Sequence, residues 1–535
     1  MVSLWGSGKN DHGTAESDQR TGDDENQSDS RASVRRGYRE PDEHTRLLPR
    51  GGEGFLSPDD PAVVSPYNLW SVRALKGLSI ILLVITFIWW ILLLISMFVT
   101  PPMMQTRGSG FFNFSYATLT LGNLIFGLLF FAVPSKPMTV WGLVLAVLLF
   151  ADMIIILSFP RIRTQEGWVG IASVIWAALI AVHNVGQNQA VSKGKQEEEE
   201  RLTGRVETRR SLLEWLAVFT ETVIMGIIAI VAILLTATLI LRARDASLES
   251  PGKKYLVDND KYAVHLACVG VDNGDESTLT VLLEAGERPV EAGLQPFIDT
   301  LYQNGTVDRY CYWDRPGFAW SDNAPSPHSA GMSADSLAEA LALAGEEGPW
   351  VLVSADIGGI YSRIFASRHA HSVHGILLID TLHEDDLQNV GRPGRGFVLW
   401  LRGIISPLGL DRLAGAIFKG RTREDRVFGQ STHQNGRYIK VKLQENLVAE
   451  PITSNEITTA RRIQTRKTQL IVVSSGLEVG RSEKWAKKQK DLTTITDNLI
   501  SWDVVKSAPH DVWTASEGRK VLAQRLKQLL RQSHL

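Results

Sequence analysis

The sequence predicts a multi-span α-helical membrane region followed by an α/β domain built on a doubly wound, mostly parallel sheet. Two patterns carry this prediction. Five long apolar runs lie within residues 78–241, and from about Tyr262 short β-branched runs alternate with amphipathic stretches. A polar segment precedes both. We therefore expect residues 1–70 to be disordered, residues 71–245 to form the membrane domain, and residues 246–535 to form the α/β domain.

The composition of the whole chain bears on its possible partners. A formal net charge of −2 over 535 residues gives no global attraction to nucleic acid. The chain has only two cysteines, Cys268 and Cys311, which are too few for a disulfide framework or a cysteine-ligated metal site. We predict no metal and no cofactor. The expected partners are the lipid bilayer and a small-molecule or lipid-derived substrate.

The N-terminal region is rich in Gly, Ser, Asp, Glu and Arg, so it cannot bury enough apolar surface to offset the entropy of ordering. Within it, Glu43 followed by Leu47 and Leu48 resembles an acidic dileucine motif that sorts proteins to lysosomes or vacuoles, although such short patterns also arise by chance. No basic-then-apolar signal opens the chain. We expect the first membrane helix to act as an uncleaved targeting signal.

Five apolar runs are candidate membrane helices, because a helix rising about 1.5 Å per residue needs roughly 20 residues to cross a ~30 Å core. Prolines fall between several of the runs, where a missing backbone donor does least harm. The fourth run is the shortest. The predicted spans are residues 78–99, 114–133, 138–159, 168–183 and 222–241.

The flanking Lys and Arg residues predict the orientation. Basic residues precede the first span and, from Lys193 to Arg210, the fifth, so both segments should be cytoplasmic. An odd number of spans then places the α/β domain on the opposite side, in agreement with an N-glycosylation sequon at Asn304. Four basic residues just past the last span argue weakly against this orientation: Arg242, Arg244, Lys253 and Lys254. An even number of spans would reverse it.

Asp152 lies within the third predicted span, where an ionisable side chain is costly. A role in transport is one interpretation. A single carboxylate without basic partners in neighbouring spans is more often a packing or interhelical hydrogen-bonding residue.

The α/β domain is predicted from alternating strand and helix patterns. Amphipathic helical stretches at residues 333–344, 361–369 and 517–532 lie between or after strand-like runs, which indicates a mostly parallel sheet covered on both faces. The predicted strands are residues 262–269, 278–284, 307–313, 350–353, 375–379, 468–474 and 499–505.

Four segments of this domain resemble the α/β-hydrolases. Y-W-D-R-P-G-F-A-W-S-D at 312–322 is similar to the Y-D-R-P/A-G-x-G-W-S segment after their fourth strand. P-W-V-L-V-S-A-D-I-G-G-I-Y-S-R at 349–363 is similar to their strand, nucleophile elbow and helix start. G-I-L-L-I-D at 375–380 is like the sixth strand, and S-A-P-H at 507–510 is like the loop carrying the catalytic histidine. The resemblance covers about half the chain and implies an α/β-hydrolase fold with a helical lid at about residues 385–467.

The resemblance also implies a set of site residues. Asp356 occupies the elbow position where most of the family has serine, as in epoxide hydrolases and haloalkane dehalogenases. His510 would be the base, and either Asp380 or Glu478 the acid that orients it. Asp380 has an alternative role in capping a turn, and His510 in local hydrogen bonding. The backbone N–H groups of Ile357 and Glu287 would form the oxyanion hole.

Several departures from the family pattern leave the activity open. Ile357 stands where dehalogenases usually have tryptophan, and the lid contains only Tyr438 where epoxide hydrolases use two lid tyrosines. Ser354 and Ser507 are more typical of turn residues than of nucleophiles. The predicted function is hydrolysis of a small or lipid-derived ester or epoxide. The alternative is a catalytically inactive binding or scaffold protein of an organelle membrane.

The whole arrangement resembles fungal polytopic proteins labelled mitochondrial integral membrane proteins. We expect an intracellular membrane, either vacuolar or endomembrane, with a mitochondrial membrane as the alternative. Cys268 and Cys311 belong to strands expected to be neighbours, and a buried thiol pair is the default interpretation. A disulfide becomes plausible if the domain is lumenal.

Overall fold

The computed structural model describes residues 69–203, 211–271 and 279–531. The predicted disordered region up to residue 68, including Glu43, Leu47 and Leu48, lies outside the described residues. Within them, five helices are long and apolar enough to cross a membrane. These helices are α1 (Trp70–Ser96), α2 (Phe111–Leu129), α3 (Lys136–Ser158), α4 (Pro160–Thr203) and α5 (Leu212–Ala246).

Helix α4 contains the fourth predicted span, which the sequence suggested was the shortest, yet α4 is the longest of the five helices. It extends because the polar residues after His183 include many strong helix formers, which continue the helix beyond the apolar stretch. Near its start the backbone departs from helical geometry at Gly167, where φ is +61°. A left-handed φ of this kind favours glycine.

The two basic segments lie at one end of the helix bundle. Val72, near the start of α1, forms a small apolar cluster with Phe131, just after α2, and Val191 of α4. Lys193 and Lys195 follow directly on α4, so they lie at the same end as the start of α1. The opposite end of the bundle contacts the α/β domain, where Thr100 N–H donates to the carbonyl of Ser326 at 2.9 Å.

Asp152 is fully buried between membrane helices. Its carboxylate accepts a hydrogen bond of 3.0 Å from the hydroxyl of Tyr116 on α2. An interhelical contact of this kind supports the packing interpretation over a transport role.

The α/β domain contains a sheet of eight strands. The strands are β1 (Lys253–Val257), β2 (Tyr262–Val269), β3 (Thr280–Glu284), β4 (Tyr310–Trp313), β5 (Trp350–Ala355), β6 (Val373–Ile379), β7 (Gln469–Ser475) and β8 (Leu499–Val505). Their order in the sheet is β1-β2-β4-β3-β5-β6-β7-β8; β2 pairs antiparallel with both β1 and β4, and all other pairs are parallel. This strand order, with a sharp turn after β5, is the α/β-hydrolase fold.

Strand β1 was missed by the sequence analysis. It is a five-residue strand at the edge of the sheet, and it follows the last membrane helix closely. Only Val257 of its five residues is buried. Two basic residues, Lys253 and Lys254, open it and obscure its strand pattern. Charged residues are a common feature of edge strands, which must avoid pairing with other chains.

Helices cover both faces of the sheet and bury separate apolar cores. One face packs mainly against the helices Ala330–Ala344 and Gly358–Arg368, and the other against Gln295–Gln303 and Ser516–Arg531. The helices before the lid are α6 (Gln295–Gln303), α7 (Ala330–Ala344) and α8 (Gly358–Arg368). Those of the lid are α9 (Leu387–Val390), α10 (Pro393–Ile405), α11 (Leu410–Phe418), α12 (Arg423–Val427), α13 (Gly436–Val448) and α14 (Ser454–Ile463). After β7 come α15 (Gly476–Arg481), α16 (Glu483–Leu492) and α17 (Ser516–Arg531).

The lid packs directly against the membrane helices. Gly403 of α10 lies so close to the ring of Phe111 on α2 that an added Cβ would be 2.1 Å from it, and Gly409 approaches Thr238 of α5 as closely. Asp245, near the end of α5, pairs with Arg412 at 2.7 Å and with Arg426 at 2.6 Å. The lid therefore bridges the sheet and the membrane domain.

Cys268 and Cys311 form a disulfide rather than the buried thiol pair that was the default interpretation. They are register partners on the antiparallel strands β2 and β4, with their Cα atoms 4.0 Å apart. Residues directly opposite each other in an antiparallel ladder bring their Cβ atoms close together, which permits the bond.

Candidate active site

Asp356 occupies a sharp turn between β5 and α8. Its φ of +50° lies in the left-handed region, which a non-glycine residue adopts only when the surroundings enforce it. The turn also requires small neighbours. A Cβ on Gly358 would lie 2.3 Å from the carbonyl oxygen of Ala285, and one on Gly359 would lie 2.5 Å from Thr381. The structure therefore has the strained elbow that presents a side chain above the sheet.

His510 lies between two carboxylates. Its Nε2 is 3.5 Å from Oδ1 of Asp356, and its Nδ1 is 2.6 Å from Oδ2 of Asp380. Asp380, at the end of β6, is fully buried, and its Oδ1 accepts hydrogen bonds from the Ser475 N–H and the Trp485 indole N–H, both at 3.0 Å. These bonds fix Asp380 as the partner that orients the imidazole.

Glu478, the other candidate acid, contacts a different group. Its carboxylate pairs with Arg481 at 2.9 Å, on the same helix. Its backbone N–H donates to Ser475 Oγ, which caps the first turn of α15. Of the two acids that the sequence left open, the geometry thus favours Asp380.

The two carboxylates change the proton affinity of His510. Burial alone would lower the pKa of His510, but its interactions with Asp356 and Asp380 outweigh burial and raise that pKa to about 10. Burial raises the pKa of Asp356, yet the imidazole, the Lys442 charge and the Ile357 N–H outweigh it and hold that pKa below its ordinary value. At neutral pH the resting site therefore contains an ionised Asp356 and a protonated His510.

Asp356 and His510 line a cavity of about 800 Å³. This volume is within the range of pockets for small-molecule ligands. Its wall combines residues from the sheet edge, including Glu287 and Arg288, with residues from the lid, including Tyr438. Tyr438 donates a hydrogen bond of 2.9 Å from its hydroxyl to the carbonyl of Glu287.

The predicted oxyanion hole is present only in part. Glu287 lines the cavity, but its carboxylate faces the cations of Arg395 and Lys442, each at 3.7 Å. The side chain of Ile357 is buried in the core beneath the turn. Its backbone N–H is one of the groups that lower the pKa of Asp356, after the larger effects of His510 and Lys442.

A buried ionic network beneath the elbow was missed by the sequence analysis. Arg315 donates to the carbonyl of Gly286 at 2.5 Å and lies 3.7 Å from Glu284 and 3.8 Å from Glu445. Lys442 pairs with Glu445 at 2.8 Å. Arg315 belongs to the D-R-P-G motif and was available as a signal, whereas Lys442 lies on a lid helix, outside the motifs that the sequence analysis used.

Burial raises the pKa of Glu284 to about 7, although the positive charge of Arg315 and a hydrogen bond from Trp313 oppose the shift. Glu284 thus changes protonation near neutral pH beneath the elbow. Glu284 does not act directly on a substrate in this arrangement, because its carboxylate is buried against Trp313 and Arg315.

The two serines considered as nucleophiles do not contact His510. Ser354 is fully buried in β5, and Ser507 donates a hydrogen bond of 2.6 Å to Glu517.

Asn304 follows the last residue of helix α6 in an exposed turn, so the sequon is sterically accessible. In the described residues, three groups have the composition of metal ligands: one at His265, one at His383 and one formed by the disulfide cysteines with Glu346. None of the three contains Asp356 or His510.

Comparisons with known proteins place the chain among fungal proteins. A family model described as a region of unknown function, DUF2417, matches residues 43–268. An uncharacterized protein of Schizosaccharomyces pombe is 32% identical over 523 residues, which are 91% of this chain and 96% of the relative. An uncharacterized vacuolar membrane protein of Saccharomyces cerevisiae is 26% identical over 386 residues, which are 61% of this chain and 59% of the relative.

The solved structures to which the chain is similar include two esterases. A carboxylesterase of Nitrososphaera gargenis is 14% identical and aligns over 52% of this chain and 100% of its own, with a TM-score of 0.36. An esterase of Thermogutta terrifontis is 15% identical over 54% of this chain and 100% of its own, also with a TM-score of 0.36. The fold assignment rests on the strand order and the elbow rather than on these scores. The fungal relatives do not support the resemblance to mitochondrial integral membrane proteins that the sequence suggested.

Proposed function

The chain belongs to the same family of fungal membrane proteins as the Schizosaccharomyces pombe relative, and we propose that it is a membrane-anchored hydrolase of a small or lipid-derived ester or epoxide. Asp356 is the nucleophile, His510 the base and Asp380 the acid that orients the imidazole. The observation that carries the proposal is the position of the His510 ring, 3.5 Å from Asp356 and 2.6 Å from Asp380.

The charge state of the site suits a two-step reaction. In the first step, an oxygen of ionised Asp356 attacks an electrophilic carbon, the carbon–oxygen bond of the epoxide breaks, and the released oxygen takes a proton. Tyr438, a cavity residue with a hydroxyl, is the candidate proton donor. The product is an ester of Asp356 with the substrate carbon.

Ester formation also prepares the second step. It removes the negative charge of Asp356, so one of the two interactions that raise the pKa of His510 disappears. The imidazolium then gives its proton to the Tyr438 phenolate left by the first step, and the neutral imidazole becomes a base. It takes a proton from water, and the resulting hydroxide attacks the ester carbonyl. When the intermediate collapses, the substrate oxygen leaves with the carboxyl proton, which releases the diol and restores ionised Asp356 beside protonated His510. A carboxylate fits an epoxide better than an ester, because attack on an ester carbonyl would give a more reactive anhydride.

Exposed apolar faces on the lid support a lipid-derived substrate. In α10, Phe397 is 61% exposed and Val398 54% exposed, and in α11 Phe418 is 84% exposed. Both helices pack against membrane helices, so these faces lie beside the bilayer. An apolar groove of about 550 Å³ runs between Phe98 and α10, next to the cavity residue Arg395. This groove would give a lipid chain access to the site.

A covalent intermediate provides the test. Full-length protein and its His510→Gln variant would be incubated with a panel of lipid epoxides and activated esters, digested and analysed by mass spectrometry. We expect an adduct on the peptide containing Asp356 in His510→Gln, turnover without adduct in the unmodified protein, and neither in Asp356→Ala. Glu478→Gln serves as the matched control and should retain turnover. Absence of both adduct and turnover across the whole panel would reject the proposal.

An inactive binding module is the second candidate function. It is favoured by one observation: Glu287, in the loop expected to complete the oxyanion hole, holds a carboxylate beside the cavity through Arg395 and Lys442, and a negative charge there would oppose a developing oxyanion. A binding module predicts that Asp356→Ala retains its bound lipids after purification. Catalysis predicts that the same variant retains substrate instead of product.

We further propose a vacuolar or endomembrane location with the hydrolase domain in the lumen. The Saccharomyces cerevisiae relative, a vacuolar membrane protein, supports the membrane, and the exposed sequon at Asn304 and the Cys268–Cys311 disulfide support the lumenal side. The basic segments lie at the opposite end of the bundle, as a cytoplasmic position for them requires. A protease-accessible, reduced domain in intact organelles would contradict the lumenal orientation.

A further inference from the structure

A second, strongly cationic pocket lies where the membrane helices meet the lid. We call it the junction pocket. Its volume is about 40 Å³, whereas one water needs only ~10–15 Å³. It is separate from the active-site cavity, and the lining residues of the two do not overlap. The charged residues that line it are Arg161, Arg242, Asp245, Lys254, Arg412 and Arg437.

The positive charge of the junction pocket is only partly compensated. Arg242 pairs with Glu166 at 2.8 Å and Arg412 pairs with Asp245 at 2.7 Å. Asp245 is also shared with a further cation, Arg426. Within the part of the chain that the structure describes, the remaining three cations have no carboxylate within 4.0 Å. These three are Arg161, Lys254 and Arg437.

Two of these three cations are held in place by backbone carbonyls. Arg161 donates to the carbonyls of Ala246 and Leu248, the latter at 2.8 Å. Arg437 donates to those of Ala319 at 2.7 Å and Ser321 at 3.1 Å. Carbonyls orient a guanidinium without neutralising its charge. Rigid, oriented cations are what a multidentate anion requires, because little side-chain entropy is then lost on binding.

Two further features favour an anionic ligand. The indole N–H of Trp320, a buried residue in the pocket wall, has no hydrogen-bond partner among the residues that the structure describes. Burial lowers the pKa of Lys254, and the neighbouring charges of Arg437 and Arg161 lower it further, although Asp322 opposes them. Mutual repulsion among the cations therefore costs free energy that a bound anion would offset.

We propose that the junction pocket binds a phosphate group, carried either by an anionic phospholipid headgroup or by free phosphate. The pocket lies at the ends of α4 and α5 that adjoin the hydrolase domain, which is the level where headgroups of that leaflet lie. Because Arg412 and Arg437 belong to the lid and Arg161 and Arg242 to membrane helices, the bound phosphate ties the lid to the bilayer domain.

Thermal unfolding and lipid retention of the full-length protein test the site. The protein would be placed in nanodiscs of phosphatidylcholine, with or without phosphatidic acid, and in detergent with or without inorganic phosphate. We expect phosphatidic acid or phosphate to raise the Tm, because ligands that bind only the folded state stabilise it. A shift with phosphatidic acid alone identifies the headgroup, and a shift with inorganic phosphate identifies the free anion. Both support the site.

The variants Lys254→Gln and Arg161→Gln test whether the anion binds at the junction pocket or elsewhere on the protein. Both side chains lie at the pocket mouth and remain partly in solvent, so their replacement should leave the fold intact. Each should weaken retention of phosphatidic acid, measured by native mass spectrometry, by about tenfold, as loss of one charge-assisted hydrogen bond predicts. Arg466→Gln, an exposed arginine far along the chain, is the matched control. An equal Tm shift in all variants, or no shift with either anion, overturns the proposal.

Discussion

Replacing Asp356 with asparagine should lower the pKa of His510, because the change removes the same charge that ester formation would remove. The ring Nε2 and the carboxylate Oδ1 are 3.5 Å apart. The histidine side chain is 39% exposed, so we use an effective dielectric constant of about 40, for which opposite charges at this distance attract by about 2.4 kcal/mol. That energy corresponds to a fall of about 1.7 pK units.

The assay is an NMR pH titration of the imidazole ring in purified full-length protein, with the signal assigned through His510→Gln. The unmodified protein should titrate with a pKa of about 10. Asp511→Asn is the matched control, since Asp511 also lines the cavity but pairs with Arg288 at 3.9 Å. It should shift the pKa by less than about 0.5 units. A pKa in Asp356→Asn equal to that of the unmodified protein would refute the two-step reasoning.

The same pair predicts how stability depends on pH. The folded-state pKa of His510 is raised to about 10, above its unfolded value of roughly 6.5. Its contribution to stability is therefore fully present below about pH 6.5 and is lost as the pH rises through about 10. The difference in Tm between the unmodified protein and Asp356→Asn should shrink over that interval. A difference that grows with pH would contradict the assignment of a protonated resting imidazole.

Three further changes have defined outcomes. Asp380→Asn should lower turnover at least ~100-fold in a hydrolysis assay, because a neutral amide no longer stabilises the imidazolium, while Glu478→Gln should stay within about twofold. Asn304→Gln should abolish a glycosidase-sensitive mass shift on immunoblots, and an unshifted parent protein would oppose lumenal placement. Asp245→Asn should destabilise the protein by about 3–5 kcal/mol in thermal unfolding, since it leaves two buried arginines without their carboxylate. Asp497→Asn is the control, because Asp497 pairs with Arg466 on the exposed surface, and it should destabilise the protein by only ~0–1 kcal/mol.

Local sequence patterns were sufficient to predict the membrane helices and most of the sheet. A long apolar run has few possible structures other than a membrane helix, and the buried parallel strands are short β-branched runs. Both could therefore be predicted without the structure. The elbow was predicted because Asp356 lies among small residues. The sharp backbone turn at an elbow tolerates only small neighbours, so few sequences fit it. Strand β1 was missed since an edge strand needs only one buried residue and carries charges on its exposed face.

Contacts between distant segments were harder to predict. Asp380 and Glu478 each follow a strand of the same sheet edge, and sequence alone does not say which side chain turns toward His510. The structure distinguishes them through the hydrogen bonds of Ser475 and Trp485, residues about 100 positions from Asp380. The buried pair of Lys442 and Glu445 has the spacing of a solvated helix face, and only the packing of the lid over the elbow places it in the interior.

The start of helix α13 connects the proposed anion site to the proposed active site. Arg437 lines the junction pocket, and the next residue, Tyr438, lines the active-site cavity. Consecutive residues on a helix point about 100° apart, so one helical turn can present a side chain to each site. Asn435 caps this turn by accepting a hydrogen bond from the Arg437 N–H at 3.2 Å. A phosphate that fixes Arg437 would therefore also fix the candidate proton donor, and membrane composition would act on the first chemical step through this turn.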